Sequence, residues 1–142
     1  MASGKYEGLS QLFLNWLFNG GTFAQPSNLY LALYTVAPSV STTGTEVTNA
    51  GAYARVTMAC NTSNWPTISG STTTVTSGAA FTFTTATATW SSGSNITDAG
   101  ITSSGTYGGG TLYYWGDVTV PKPVYNGDTA SFASGALTVQ EL

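Results

Sequence analysis

The sequence predicts an all-β fold: a single β-sandwich or jelly-roll-like domain with one short N-terminal amphipathic helix. Three observations carry this. Charged residues make up 6% of the chain, against a usual share of about a quarter, and Thr, Ser, Gly and Asn fill the surface instead. Short apolar runs with a period of two recur between Gly-, Pro- and Asn-rich turns. Only one stretch, near the N-terminus, carries the period of a helix.

That stretch is residues 8–19. Leu9, Leu12, Phe13, Trp16 and Leu17 fall at i, i+3, i+4, i+7 and i+8, which is one helical stripe. Gly20-Gly21 supplies the stop. Leu14 and Phe18 lie off the stripe, so more than one face is apolar. Such a helix is expected to pack on its own sheet, on a neighbouring subunit, or on both. Leu12, Trp16 and Phe18 are therefore candidate partner contacts. Residues 1–8 are expected to form an arm that reaches a neighbour.

The strands follow. Leu29, Leu31 and Leu33 alternate with Tyr30, Ala32 and Tyr34, which predicts a strand with two covered or half-covered faces. Residues 38–45 read as a loop, 53–60 as a second strand and 61–70 as a loop around Trp65-Pro66. Short strands are expected at 72–76, 79–84 and 86–90, where β-branched threonines dominate. Ser91–Ser94, Asp98-Ala99-Gly100 and Gly105–Gly110 read as turns, and Gly116 before Asp117 as a bulge. A strand over 111–120, a turn at Asn126-Gly127-Asp128, and strands at 129–132 and 136–140 complete the domain. The chain of 142 residues fits one domain, 1–142, able to bury about two-thirds of its unfolded surface.

Composition excludes much chemistry. The net charge is −3, with Lys5, Arg55 and Lys122 as the basic residues. Three scattered cations neutralise neither a phosphate backbone nor an anionic membrane surface, so neither nucleic acid nor membrane is expected as a partner. The apolar run at 9–18 is too short to span a bilayer and lacks a positive leader. A soluble, unprocessed chain is expected. Cys60 is a lone cysteine and there is no histidine, so neither an intrachain disulfide nor a zinc site is expected.

Catalysis fares no better. Serine and cysteine hydrolases generally use a His base. Asp98, Asp117 and Asp128 each have a structural reading in a turn or bulge. No loop clusters two acids for calcium. No catalytic, cofactor-binding or metal-ligating residue is assigned. The consecutive aromatics Tyr113, Tyr114 and Trp115 are candidate partner contacts, core on one face and subunit contact on the other. A carbohydrate platform is the alternative reading of the same three residues.

Three segments resemble a known family. They are Asn28-Leu29-Tyr30-Leu31-Ala32-Leu33-Tyr34-Thr35 after the helix, Gly44-Thr45-Glu46-Val47 with Ala52-Tyr53-Ala54-Arg55, and the C-terminal run from Asn126 to Val139. In this order they resemble small tailed-phage virion proteins labelled capsid decoration (cement) or tail-fibre-like. The resemblance spans nearly the whole chain and implies assembly rather than catalysis. It leads to the expectation of a homo-oligomeric decoration protein. Such a protein would be assembled in the host cytoplasm, bind the major capsid protein and sit on the outer capsid surface. A tail fibre, fibre adaptor or baseplate piece bound to tail proteins is the alternative, followed by a carbohydrate-binding appendage. Glu46 and Arg55 flank a short loop with opposite charges and are a candidate ion pair. If exposed, the pair would contribute only about 0–1 kcal/mol and would serve to fix the loop.

Overall fold

A computed structural model describes residues 3–141. It is an all-β fold with one helix near the N-terminus. In chain order the elements are β1 (Ser3–Lys5), α1 (Glu7–Phe18), β2 (Asn28–Val36), β3 (Thr45–Glu46), β4 (Val56–Ala59), β5 (Thr74–Thr76) and β6 (Phe81–Thr82). After a 3-10 turn at Trp90–Gly93 come β7 (Ile96–Thr102), β8 (Leu112–Lys122), β9 (Ser131–Phe132) and β10 (Thr138–Gln140).

The main sheet runs β1-β8-β7-β2-β3, with β4 also paired to β2, and its pairings are antiparallel. Strand β2 is central because its alternation suits both faces. Leu31 and Leu33 enter the larger core, while Ala32 and Tyr34 enter a smaller cluster on the opposite face. The larger core is closed by Val47, Tyr53, Met58, Phe81, Phe83, Trp90 and Val124. The layer over it is not a continuous sheet. It consists of two short ladders, β5 with β10 and β6 with β9, joined by irregular chain.

Trp90 is the keystone of that layer, 1% exposed. Its ring meets Tyr53 edge-on at 5.2 Å, and its indole N–H donates to the Gly51 carbonyl at 2.8 Å. A buried tryptophan with its one donor satisfied contributes large apolar area at no polar cost.

Four local expectations are corrected. Asp98-Ala99-Gly100 is not a turn but the middle of β7, between β2 and β8. Residues 86–90 form no strand; Ala86 and Trp90 donate singly to Asp128 and Val124. Gly116 pairs regularly with Ala99, and the ladder breaks beyond Asp117 instead. Residues 3–5 of the expected arm form edge strand β1 on β8, in register Ser3 to Gly116 and Lys5 to Tyr114. Met1 and Ala2 lie outside the described residues.

The small residues of β7 have a packing reason. A Cβ at Gly100 would lie 2.8 Å from both the Tyr34 ring and Leu112. Only glycine lets those two side chains close over the strand.

Candidate protein-binding surface

Helix α1 begins after Tyr6, whose backbone N–H donates to the Tyr113 carbonyl, and the Glu7 N–H donates to Val40. These bonds anchor its first turn. Leu9 is its buried residue and Leu12 is half-buried. The remainder of the apolar stripe faces outward. Phe13 is 46% exposed, Trp16 48% and Phe18 73%, with Leu14 and Leu17 about equally open. Phe13 and Trp16 lie against each other at 5.8 Å. The helix ends as the Asn19 and Gly21 N–H groups converge on the Asn15 carbonyl. A 12-residue helix gains little from propensity alone. This one packs only its first turns against the sheet.

The three β8 aromatics separate. Trp115 lies on the outer face, packed against the Ala32–Tyr34–Leu112 cluster beside Tyr6. Tyr114 lies on the inner face, and its hydroxyl donates to Glu141 at 2.8 Å. Burial, reinforced by Glu141, holds that phenol well above its ordinary pKa. Tyr113 is the extra residue where β8 slips register between Ile101 and Thr102. A bulge re-aims the side chain it carries. Tyr113 therefore joins Tyr114 in lining a cleft of about 510 Å³, with Trp65, Gln25, Asn61 and Thr62 among the other walls. Trp115 takes no part in that cleft.

The Glu46–Arg55 pair is buried rather than exposed, with side chains 10% and 4% accessible. Arg55 Nε and Nη2 donate to the two Glu46 oxygens at 2.8 and 2.7 Å. Its Nη1 donates to Thr102 and to the carbonyls of Ser104 and Gly109. Tyr53 donates to Glu46 at 2.9 Å and accepts from the Leu33 N–H. One guanidinium thus ties β3, β7 and the Gly-rich loop before β8 together. Tyr34 stands nearby, its phenol pushed up to about 12 first by burial and then by Glu46. The bonds to Glu46 likewise raise the pKa of Arg55.

These features build surfaces and a stiff frame. A family model described as podophage GP4 fiber I protein gp80 matches residues 6–140. The chain belongs to this podophage fibre family. It is thus a structural component of a tailed-phage virion. No curated protein matches it.

Asp128 accepts the Tyr125 N–H at 2.9 Å and closes a turn. Asp98 and Asp117 face each other across β7 and β8. Among the described residues no group of three or more His, Cys, Asp or Glu is placed to hold a metal. Cys60 is half-buried, and burial pushes its thiol up, away from the reactive thiolate. Among the described residues no helix is long and apolar enough to cross a membrane.

Sequence reasoning missed the convergence of Trp65 with the tyrosines and the pairing of Asp98 with Asp117. The bulge that re-aims Tyr113 and the pairing of the two aspartates follow from register, which needs the position of β7, whereas Trp65 reaches the cleft from the loop between β4 and β5. The β-branched flanks of β7, Ile96-Thr97 and Ile101-Thr102, are the signal that was present.

Proposed function

We propose that this chain is a non-catalytic piece of the phage fibre, binding protein surfaces and assembling through α1 with further copies of itself. The outward apolar face of α1, on a chain of the fibre family, carries this reading. A helix whose one charge is Glu7 in its first turn, with apolar residues on several faces, needs cover on several sides, and a bundle of like helices supplies it. The hydroxyl-rich, nearly neutral remainder suits wet, hydrogen-bonded contacts.

The test is the stoichiometry of this protein against the major capsid protein in purified virions. A ratio of a few per cent or less is expected for a fibre. A ratio near one, or near one-third, would overturn the fibre reading in favour of a shell-wide decoration protein on the outer capsid.

A second reading has its own support. Tyr113, Tyr114 and Trp65 meet in one cleft beside Gln25, Asn61 and Thr62, a combination of rings and amides that suits a sugar ring. A glycan array probed with the protein tests it, and absence of binding at millimolar sugar ends it.

A further inference from the structure

Asparagine followed by glycine occurs twice in the chain, in nearly matching settings: Phe18-Asn19-Gly20 and Tyr125-Asn126-Gly127. This dipeptide has its own chemistry. The glycine amide nitrogen can attack the carbonyl carbon of the asparagine side chain, and glycine brings no side chain to obstruct the approach. Both asparagines are exposed. Residue order gives them similar reactivity, so a difference between them comes from the fold.

At Asn126 the fold opposes the attack. The Gly127 N–H, whose nitrogen is the nucleophile, donates to the Ala86 carbonyl at 2.8 Å, and Ala86 is buried. The Ala86 N–H returns a bond to the Asp128 carbonyl. The turn itself is closed by the Asp128 N–H on the Tyr125 carbonyl and by the Tyr125 N–H on the Asp128 carboxylate. The nitrogen is freed only when the turn lifts away from Ala86, and such a local opening carries its own free-energy cost. At Asn19 the fold leaves the way open. The last bonds of α1 run from the Asn19 and Gly21 N–H groups to the Asn15 carbonyl and skip Gly20, whose N–H has no backbone acceptor. A Cβ placed on Gly20 would meet nothing within 4 Å. The Asn19 side chain is held by Asn15 of the same helix, its Nδ2 donating to Asn15 Oδ1 at 3.0 Å in the open. The attack needs the Asn19 backbone to turn from its ψ of 10°, and a helix end frays.

We propose that Asn19 is a site of spontaneous deamidation and that Asn126 is held back from the same reaction by its turn. The Gly20 nitrogen gives up its proton and bonds to Asn19 Cγ. The Cγ–Nδ2 bond breaks, and ammonia leaves with that proton, which gives a cyclic imide. Solvent water then adds to either imide carbonyl, the bond from that carbon to the Gly20 nitrogen breaks, and the nitrogen regains a proton. The net change is an amide and a water converted to a carboxylic acid and ammonia, with nothing oxidised or reduced. The product at position 19 is aspartate or isoaspartate. Its carboxylate lies at the C-terminal end of α1, where the helix dipole opposes negative charge, next to the exposed Phe18. The modification marks the outward helix and leaves the core untouched. It concerns the free chain and does not rest on what covers α1.

The experiment is ageing of the full natural chain at pH 8 and 37 °C, folded in buffer and unfolded in urea. Fragment-ion mass spectrometry locates the gain of an oxygen in place of NH at each asparagine. In the folded chain Asn19 is expected to convert about tenfold or more faster than Asn126, because the turn must open before its nitrogen can attack. In urea the two rates should come together, through acceleration at Asn126. Equal rates in the folded chain, or conversion of Asn126 ahead of Asn19, would overturn the proposal. A folded-state ratio that persists unchanged in urea would also overturn it, because residue order rather than the fold would then set the rates. So would an Asn19 that resists in the folded chain and converts in urea.

Discussion

Trp90 and Trp16 carry the same side chain in opposite circumstances. Trp90 is 1% exposed, stacked edge-on against Tyr53 and hydrogen-bonded to Gly51; Trp16 is 48% exposed and touches Phe13. The inner face of the sheet is finished within the single chain, whereas α1 is unfinished. Burial of a large aromatic brings roughly 2–3 kcal/mol, so a face that leaves several half out has that much still available on association. The difference separates residues that make the fold from residues that join it to something else.

The comparison is broken most severely at its buried end. Trp90→Ala is expected to lose about 3–5 kcal/mol, read as a lowered denaturation midpoint in urea. Arg55→Met should cost a comparable ~3 kcal/mol, because Glu46 and two carbonyls are left inside without their donor; Glu46→Gln with Arg55→Met should recover part of it in a double-mutant cycle. Gly100→Ala is expected to cost about 1–3 kcal/mol by forcing Tyr34 and Leu112 apart. At the exposed end, Trp16→Ala should change the stability of the isolated chain by less than ~1 kcal/mol and abolish its self-association in sedimentation. If Trp16→Ala unfolds the chain as Trp90→Ala does, the contrast between the two regions is false. The smallest effect belongs to Lys5→Ala, whose half-exposed partner Glu141 limits the loss to about 1 kcal/mol or less. The ion pair and the Tyr114 hydroxyl hold the Glu141 carboxyl below its usual value, so that small contribution is lost as pH falls through it.

Much of this was legible beforehand in the chain. The stripe from Leu9 to Leu17 marked α1 to within a residue of its bounds, and the Leu/Tyr alternation marked β2 with two covered or half-covered faces. What escaped was decided by distant packing. β7 hides its strand character behind Asp98-Ala99-Gly100, residues that are small or polar because Tyr34, Leu112 and Asp117 press on them from either side. The alternation of Ala and Thr over 86–89 imitates a strand, yet the chain there is a cover for the core, held by isolated bonds to the 124–128 segment. Tyr113, Tyr114 and Trp115 looked like one aromatic block. A one-residue bulge, invisible in composition, sends two of them to a cleft and leaves the third behind.

The Lys5–Glu141 contact joins strand β1 to the residue after β10, with Tyr114 beneath both. A covalent backbone could follow the same path. A short linker from Glu141 to Ser3, with the chain reopened at the exposed Asn126-Gly127 turn, would give a circular permutant that keeps β1 and the same sheet order. Because the Lys5 and Glu141 side chains already touch, such a linker would ask little new of the folded chain. The edge of the sheet that carries β1 is thus a seam at which the described chain could be rejoined without disturbing its core.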